Sequence, residues 1–96
     1  MDEESLLALL SGYKEKKTEL MIFGGKDEDV DFIDVCLDCF DPAEKDIIVK
    51  TCIENVSMRS YARLTGISRQ TLTKEKKRVL CRLLRYFRIR DEKSAL

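Results

Sequence analysis

The stretch Val56-Ser57-Met58-Arg59-Ser60-Tyr61-Ala62-Arg63-Leu64-Thr65-Gly66-Ile67-Ser68-Arg69-Gln70-Thr71-Leu72 decides the fold. Ser57 is placed to cap a short helix over 58–64, because its hydroxyl can accept a backbone N–H that has no partner inside the first turn. Gly66 permits the sharp turn that ends that helix, and Ser68 caps the next one. Ile67 is expected to enter the core from the turn. Ala62 is small where the second helix crosses, and Leu72 points inward from that second helix. Two short capped helices around one tight glycine-containing turn are the helix-turn-helix pattern.

Working outward on the C-terminal side, the helix that begins after Ser68 reads as long and two-faced. Leu72, Val79, Leu80, Leu83 and Phe87 form one face, whereas Arg69, Gln70, Thr73, Lys74 and Lys77 fall on the other. Residues 57–90 hold 11 Lys/Arg against the single acid Glu75. A helix of that charge at that place suits the major groove of DNA. The candidate DNA-binding residues are Ser68, Arg69, Gln70, Thr71, Thr73, Lys74, Lys76, Lys77 and Arg78. Arg69 is suited to bidentate bonding with guanine and Gln70 with adenine, while Lys76, Lys77, Arg78 and Arg82 suit phosphates. Residues 91–96 are expected to fray.

On the N-terminal side, Asp41-Pro42-Ala43-Glu44 marks a helix start, with Asp as cap, Pro in the first turn and Glu behind it. That helix carries Ile47, Ile48, Cys52 and Ile53 inward and stops near Glu54-Asn55, since Asn tolerates the left-handed conformation. Leu6, Leu7, Leu10, Tyr13, Lys17, Leu20 and Met21 give segment 3–22 a helical spacing that Gly24-Gly25 interrupts. A further helix is expected over about 28–39, with Val30, Ile33, Val35, Cys36, Leu37, Cys39 and Phe40 apolar and Asp31, Asp34 and Asp38 solvated opposite them. The expectation is an all-α chain of four to five helices with a C-terminal helix-turn-helix and a long recognition helix. Residues 1–40 form an acidic helical arm, and residues 41–96 form the DNA-binding domain. The arm is a candidate for dimerisation or partner binding, or simply a cover for the domain core.

The stretch from Asp41-Pro42-Ala43-Glu44 through Tyr61-Ala62-Arg63-Leu64-Thr65-Gly66-Ile67-Ser68 to Lys77-Arg78-Val79-Leu80-Cys81-Arg82-Leu83 resembles region 4 of the sigma-70 family. The resemblance implies a promoter-reading helix at Arg69, Gln70, Thr73, Lys74 and Lys77, capping by Ser57 and Ser68, and core positions at Ala62, Ile67, Leu72, Val79 and Leu80. Lys76 stands where the family often has an apolar residue, and Thr65 where it often has Leu. Residues 1–40 hold no counterpart of the family's region 2, so the resemblance is to the region-4 module alone, as in small phage or mobile-element activators. It implies bacterial RNA polymerase as a partner beside double-stranded DNA.

Composition narrows the alternatives. The chain has 96 residues, 38% of them charged, with one Pro and four Gly, which suits one helical core better than a turn-rich β fold. It has no His, which removes the usual general base and the commonest neutral metal ligand, so no enzyme and no cofactor is expected. A net charge of zero conceals a division: residues 1–56 carry 6 Lys/Arg against 15 Asp/Glu, and residues 57–96 carry 12 against 3. A basic half attracts polyanions at long range. Cys36 and Cys39 have the spacing of half a zinc site that Cys52 and Cys81 would complete, yet all four read as small core residues. The carboxylates Asp27/Asp29/Asp31 and Asp34/Asp38 have no nucleophile or phosphate loop beside them and read as solvated faces. No segment has about 20 apolar residues, and the acidic start lacks a signal-peptide pattern, so a cytoplasmic protein with no membrane partner is expected.

The leading expectation is therefore a sequence-specific transcription regulator. Two alternatives from other classes stand beside it: a phage DNA-packaging protein of the small-terminase kind, and an anti-sigma or polymerase-binding interaction module. One helix-turn-helix contacts few bases, so in the first case specificity calls for a second half-site, through a homodimer, or for a polymerase that holds the protein nearby.

Overall fold

A computed structural model describes residues 1–94, with Ala95 and Leu96 outside the described part. The described residues form five helices: α1 (Glu3–Phe23), α2 (Glu28–Cys39), α3 (Pro42–Ile48), α4 (Met58–Thr65) and α5 (Arg69–Ser94). The chain is all-α. Each start is fixed locally. Asp2 accepts the Ser5 N–H at 2.7 Å, and Asp27 accepts those of Asp29 and Val30 at 3.0 and 3.1 Å. Asp41 and Glu44 form a reciprocal capping box around Pro42, at 2.9 and 3.2 Å.

After Ile48 the third helix widens into a π-helical turn, Val49–Ile53, closed by the Glu54 N–H on the Val49 carbonyl at 2.9 Å. The wider turn buries three consecutive residues, Thr51, Cys52 and Ile53. Thr51 is tolerated there because its hydroxyl donates to the Ile47 carbonyl at 2.6 Å. Asn55, at φ 58°, turns the chain out of the helix as its residue type predicts.

One core holds all five helices. Leu6 and Leu10 from α1, Ile33 from α2, Ile48 from α3 and Leu83 and Phe87 from α5 have no exposed surface. Phe32 meets Phe87 edge to face, with ring centroids 4.9 Å apart. Residues 1–40 are therefore part of the fold and not an arm attached to it. Asp34 is not a merely solvated carboxylate: it accepts from Tyr13 and, at 2.7 Å, from Lys17, and so joins α2 to α1. The bond from Asp34 and that from Tyr13 push the Lys17 ammonium above its ordinary range.

Several apolar positions assigned inward lie outside. Met21 is exposed because the last turns of α1 run past the core, and Val35 and Cys39 occupy the outer side of α2. Cys81 is exposed too. At the C-terminus, α5 stays helical through Ser94 where fraying was expected, with Arg90 bonded to Asp29 at 2.8 Å and stacked over Phe32 and Phe87. The remainder of that expectation, Ala95 and Leu96, lies outside the described residues.

Candidate nucleic-acid interface

The pair α4 and α5 is built by local rules. Ser57 accepts the Ser60 N–H at 3.1 Å and starts α4. Gly66, at φ 73°, ends it, and its N–H returns to the Ala62 carbonyl at 2.9 Å. Two residues later Ser68 accepts the Thr71 N–H at 3.2 Å and starts α5. Leu72 is buried beneath the turn. Ile67 departs from expectation, for it is 46% exposed. The Thr65 hydroxyl accepts the Ile67 N–H at 3.3 Å, and Leu72, not Ile67, is the apolar residue that reaches the core here.

Tyr61 fixes α4 against α3. Its ring is buried and its hydroxyl donates to Asp46 at 2.6 Å, and burial together with that carboxylate pushes the phenol up to about 12.

Glu44 fixes α5. Its side chain is only 7% exposed and accepts Arg78 Nη2 at 2.9 Å and Arg82 Nη1 at 2.7 Å, on top of the cap bond from the Asp41 N–H. That backbone bond, then the bond from Arg78 and the charge of Arg82, hold its carboxyl below the ordinary carboxylate range despite burial. Arg82 also lies over the Phe40 ring at 4.8 Å and bonds the Tyr86 hydroxyl at 3.2 Å. Arg78 makes a second ion pair with Glu75. Arg78 and Arg82, read from sequence as phosphate contacts, thus point at carboxylates of their own chain.

The other candidates divide clearly. Arg69, Gln70, Thr73, Lys74 and Lys77 are exposed. Among the described residues, Arg69, Lys74 and Lys77 have no ion-pair partner. Successive residues of a helix turn by about 100°, so Gln70, Thr73, Lys74 and Lys77 share one face. The hydroxyls of Ser68 and Thr71 bond each other at 2.9 Å, and Thr73 donates to the Arg69 carbonyl at 2.8 Å, which ties all three to the helix start. Lys76 is half-buried, in a groove it shares with Thr73 and Lys77 of its own helix and with Glu3, Leu7 and Leu80. This explains how a lysine occupies a position otherwise suited to an apolar residue: its stem lies along α1.

Two cations were not singled out from the sequence. Arg59 and Arg63 are exposed on α4, Arg59 at its start and Arg63 in its last turn before Gly66, and their only signal was the count of basic residues. The cysteines do not converge: Cys36 and Cys52 are buried, Cys39 and Cys81 exposed, and no three potential metal ligands cluster among the described residues. None of the described helices is long and apolar enough to cross a membrane. The chain matches no protein-family model, no curated protein and no solved structure.

Proposed function

We propose that α4, the turn Gly66–Ser68 and α5 form a helix-turn-helix that binds double-stranded DNA, and that the protein regulates transcription. The observation that carries this reading is the solvent-facing stripe of Arg69, Gln70, Thr73, Lys74 and Lys77. Its three cations, Arg69, Lys74 and Lys77, have no carboxylate partner among the described residues, while nearby Arg78 and Arg82 are neutralised. The helix dipole disfavours cations in a first turn, and Arg69 and Lys74 stand at the start of α5 with no carboxylate to offset it, so the row favours a polyanion. Lys74 and Lys77, with Arg59 and Arg63, supply phosphate contacts; Arg69 and Gln70 reach base edges. The likeness of Asp41–Leu83 to sigma region 4 supports a promoter element as the site and a phage or mobile-element activator as the role.

The test is fluorescence anisotropy with labelled duplex, followed by selection from a random duplex library. The logarithm of affinity is expected to fall linearly with the logarithm of salt, with a slope of about 0.9 per phosphate neutralised, and selection is expected to enrich a motif. Failure to bind any duplex at low salt would overturn the reading.

One observation favours a second reading. Leu64 and Ile67 are exposed beside the turn, where a phosphate-facing surface gains nothing from apolar side chains. They suit a protein contact, with RNA polymerase as the partner that the sigma likeness supplies. Leu64→Ser with Ile67→Ser would then abolish polymerase capture and leave duplex affinity unchanged.

A further inference from the structure

A groove of about 590 Å³ lies between α2 and the end of α5, far from the turn at Gly66. Its walls are Phe32, Val35, Cys36 and Cys39 on α2 and Tyr86, Ile89, Arg90 and Lys93 on α5, with Arg90 already paired to Asp29. Val35 is 59% and Ile89 41% exposed, although both are branched aliphatics on helices with ample polar surface elsewhere.

The charges beside the groove are sorted by helix. On α2, Asp31 and Asp38 stand one turn to either side of Val35 and are exposed. On α5, Arg85 and Lys93 stand one turn to either side of Ile89 and are exposed, with Glu92 the acid among them. Asp31, Arg85 and Lys93 have no ion-pair partner among the described residues, and Asp38 has only Lys45 at 3.6 Å. An acidic wall facing a basic wall across an apolar floor is self-complementary under a two-fold rotation. Such a rotation lays α2 of each copy on α5 of the other, so acid meets base twice and Val35 meets Ile89 twice.

We propose that this groove is the self-association surface of the protein and that its occupant is a second copy of the same chain, joined about a two-fold axis. A partner of one charge sign would satisfy one wall and be repelled by the other, whereas a second copy satisfies both. The surface lies at the opposite end of α5 from Arg69 and Lys74, so it stands independently of the DNA-binding reading. It also assigns self-association to α2 and α5, not to the N-terminal helix, whose Leu6 and Leu10 are spent in the core.

The experiment is sedimentation equilibrium of the full chain over a hundredfold range of micromolar concentration. Wild type is expected to approach twice 11.2 kDa. Val35→Glu and Ile89→Glu, both at exposed positions, are expected to keep their helical circular dichroism and weaken association tenfold or more. Asp31→Arg and Arg85→Asp are each expected to weaken it, and the chain carrying both is expected to recover it, a rescue that loss of folding cannot mimic. Cys39 alkylation is expected to slow as concentration rises, with Cys81 unchanged. A wild type that stays monomeric overturns the proposal. So does association that survives Val35→Glu but is lost in Phe23→Ser, since Phe23 is 83% exposed at the end of α1.

Discussion

Arg82 and Glu44, 38 residues apart in the chain, meet at 2.7 Å across the junction of α5 and α3. The same carboxylate caps its own helix and takes Arg78 at 2.9 Å, so one side chain sets both where α3 begins and how α5 lies against it. Because the helix that carries Arg69 and Lys74 is aimed from this junction, the candidate interface depends on a residue that faces away from it.

Acid should loosen this junction. The Glu44 carboxyl lies below its ordinary value of 4.5 in the fold, so it favours the folded state above that value and the contribution is lost as pH falls through the folded value. Asp34 acts in the same direction: burial pushes it up, but Lys17 and Tyr13 hold it below 3.8. Melting temperature is expected to drop from pH 6 to pH 3, and Glu44→Gln is expected to melt lower at pH 6 and show a shallower pH dependence. An unchanged profile in that variant would assign the acid sensitivity elsewhere.

Ile67 and Leu72 separate the observed turn from the one anticipated. Leu72→Ala leaves a cavity beneath the turn and is expected to cost about 2–5 kcal/mol in denaturant unfolding. Ile67→Ser removes an exposed side chain and is expected to change stability by less than about 0.5 kcal/mol. Equal losses would mean that Ile67 is in the core after all.

Thiol chemistry reads burial directly. Cys39 and Cys81 are expected to react promptly with a maleimide in dilute native protein, and Cys36 and Cys52 only after unfolding. Burial pushes the Cys36 thiol up to about 11, which removes thiolate as well as access. Peptide mapping of the alkylated sites after a short exposure checks this.

Base contacts and phosphate contacts differ in what their loss does. Arg69→Ala or Gln70→Ala is expected to weaken the selected duplex by about 1–3 kcal/mol and random duplex much less. Lys77→Ala is expected to weaken both alike and to lower the salt slope by about one. Equal loss on cognate and random duplex in the Arg69 and Gln70 variants would remove direct readout. The two-fold surface of α2 and α5 adds an expectation: the selected motif is palindromic, and Val35→Glu reduces it to one half-site.

Much of the backbone was legible because it is fixed by near neighbours. Asp41, Ser57 and Ser68 cap helices within three residues of themselves, and Gly66 and Asn55 turn the chain through their own conformational freedom, whereas Asp27, read as solvated, caps α2. The spacing of Leu72, Val79, Leu80, Leu83 and Phe87 gave the inner face of α5, all of them buried. No such pattern could announce the π-helical turn at Val49–Ile53, since it answers the packing of Cys52 and Ile53 against the other helices.

Burial at Val35, Cys39, Met21, Ile67 and Cys81 was misjudged from sequence, because an apolar residue at helical spacing is buried only where another element arrives to cover it. The pairing of Arg78 and Arg82 was equally hidden, since a positive charge 34 or 38 residues from its carboxylate looks free in a linear chain. Sequence alone determined the helical class, the caps at Asp41, Ser57 and Ser68, the tight turn and the division of charge, for these follow from interactions within a helical turn or from simple counting. Tertiary structure decided which cations remain open to a polyanion, which apolar residues stay uncovered and how α1 and α2 join the core, because those depend on distances between segments that only packing sets.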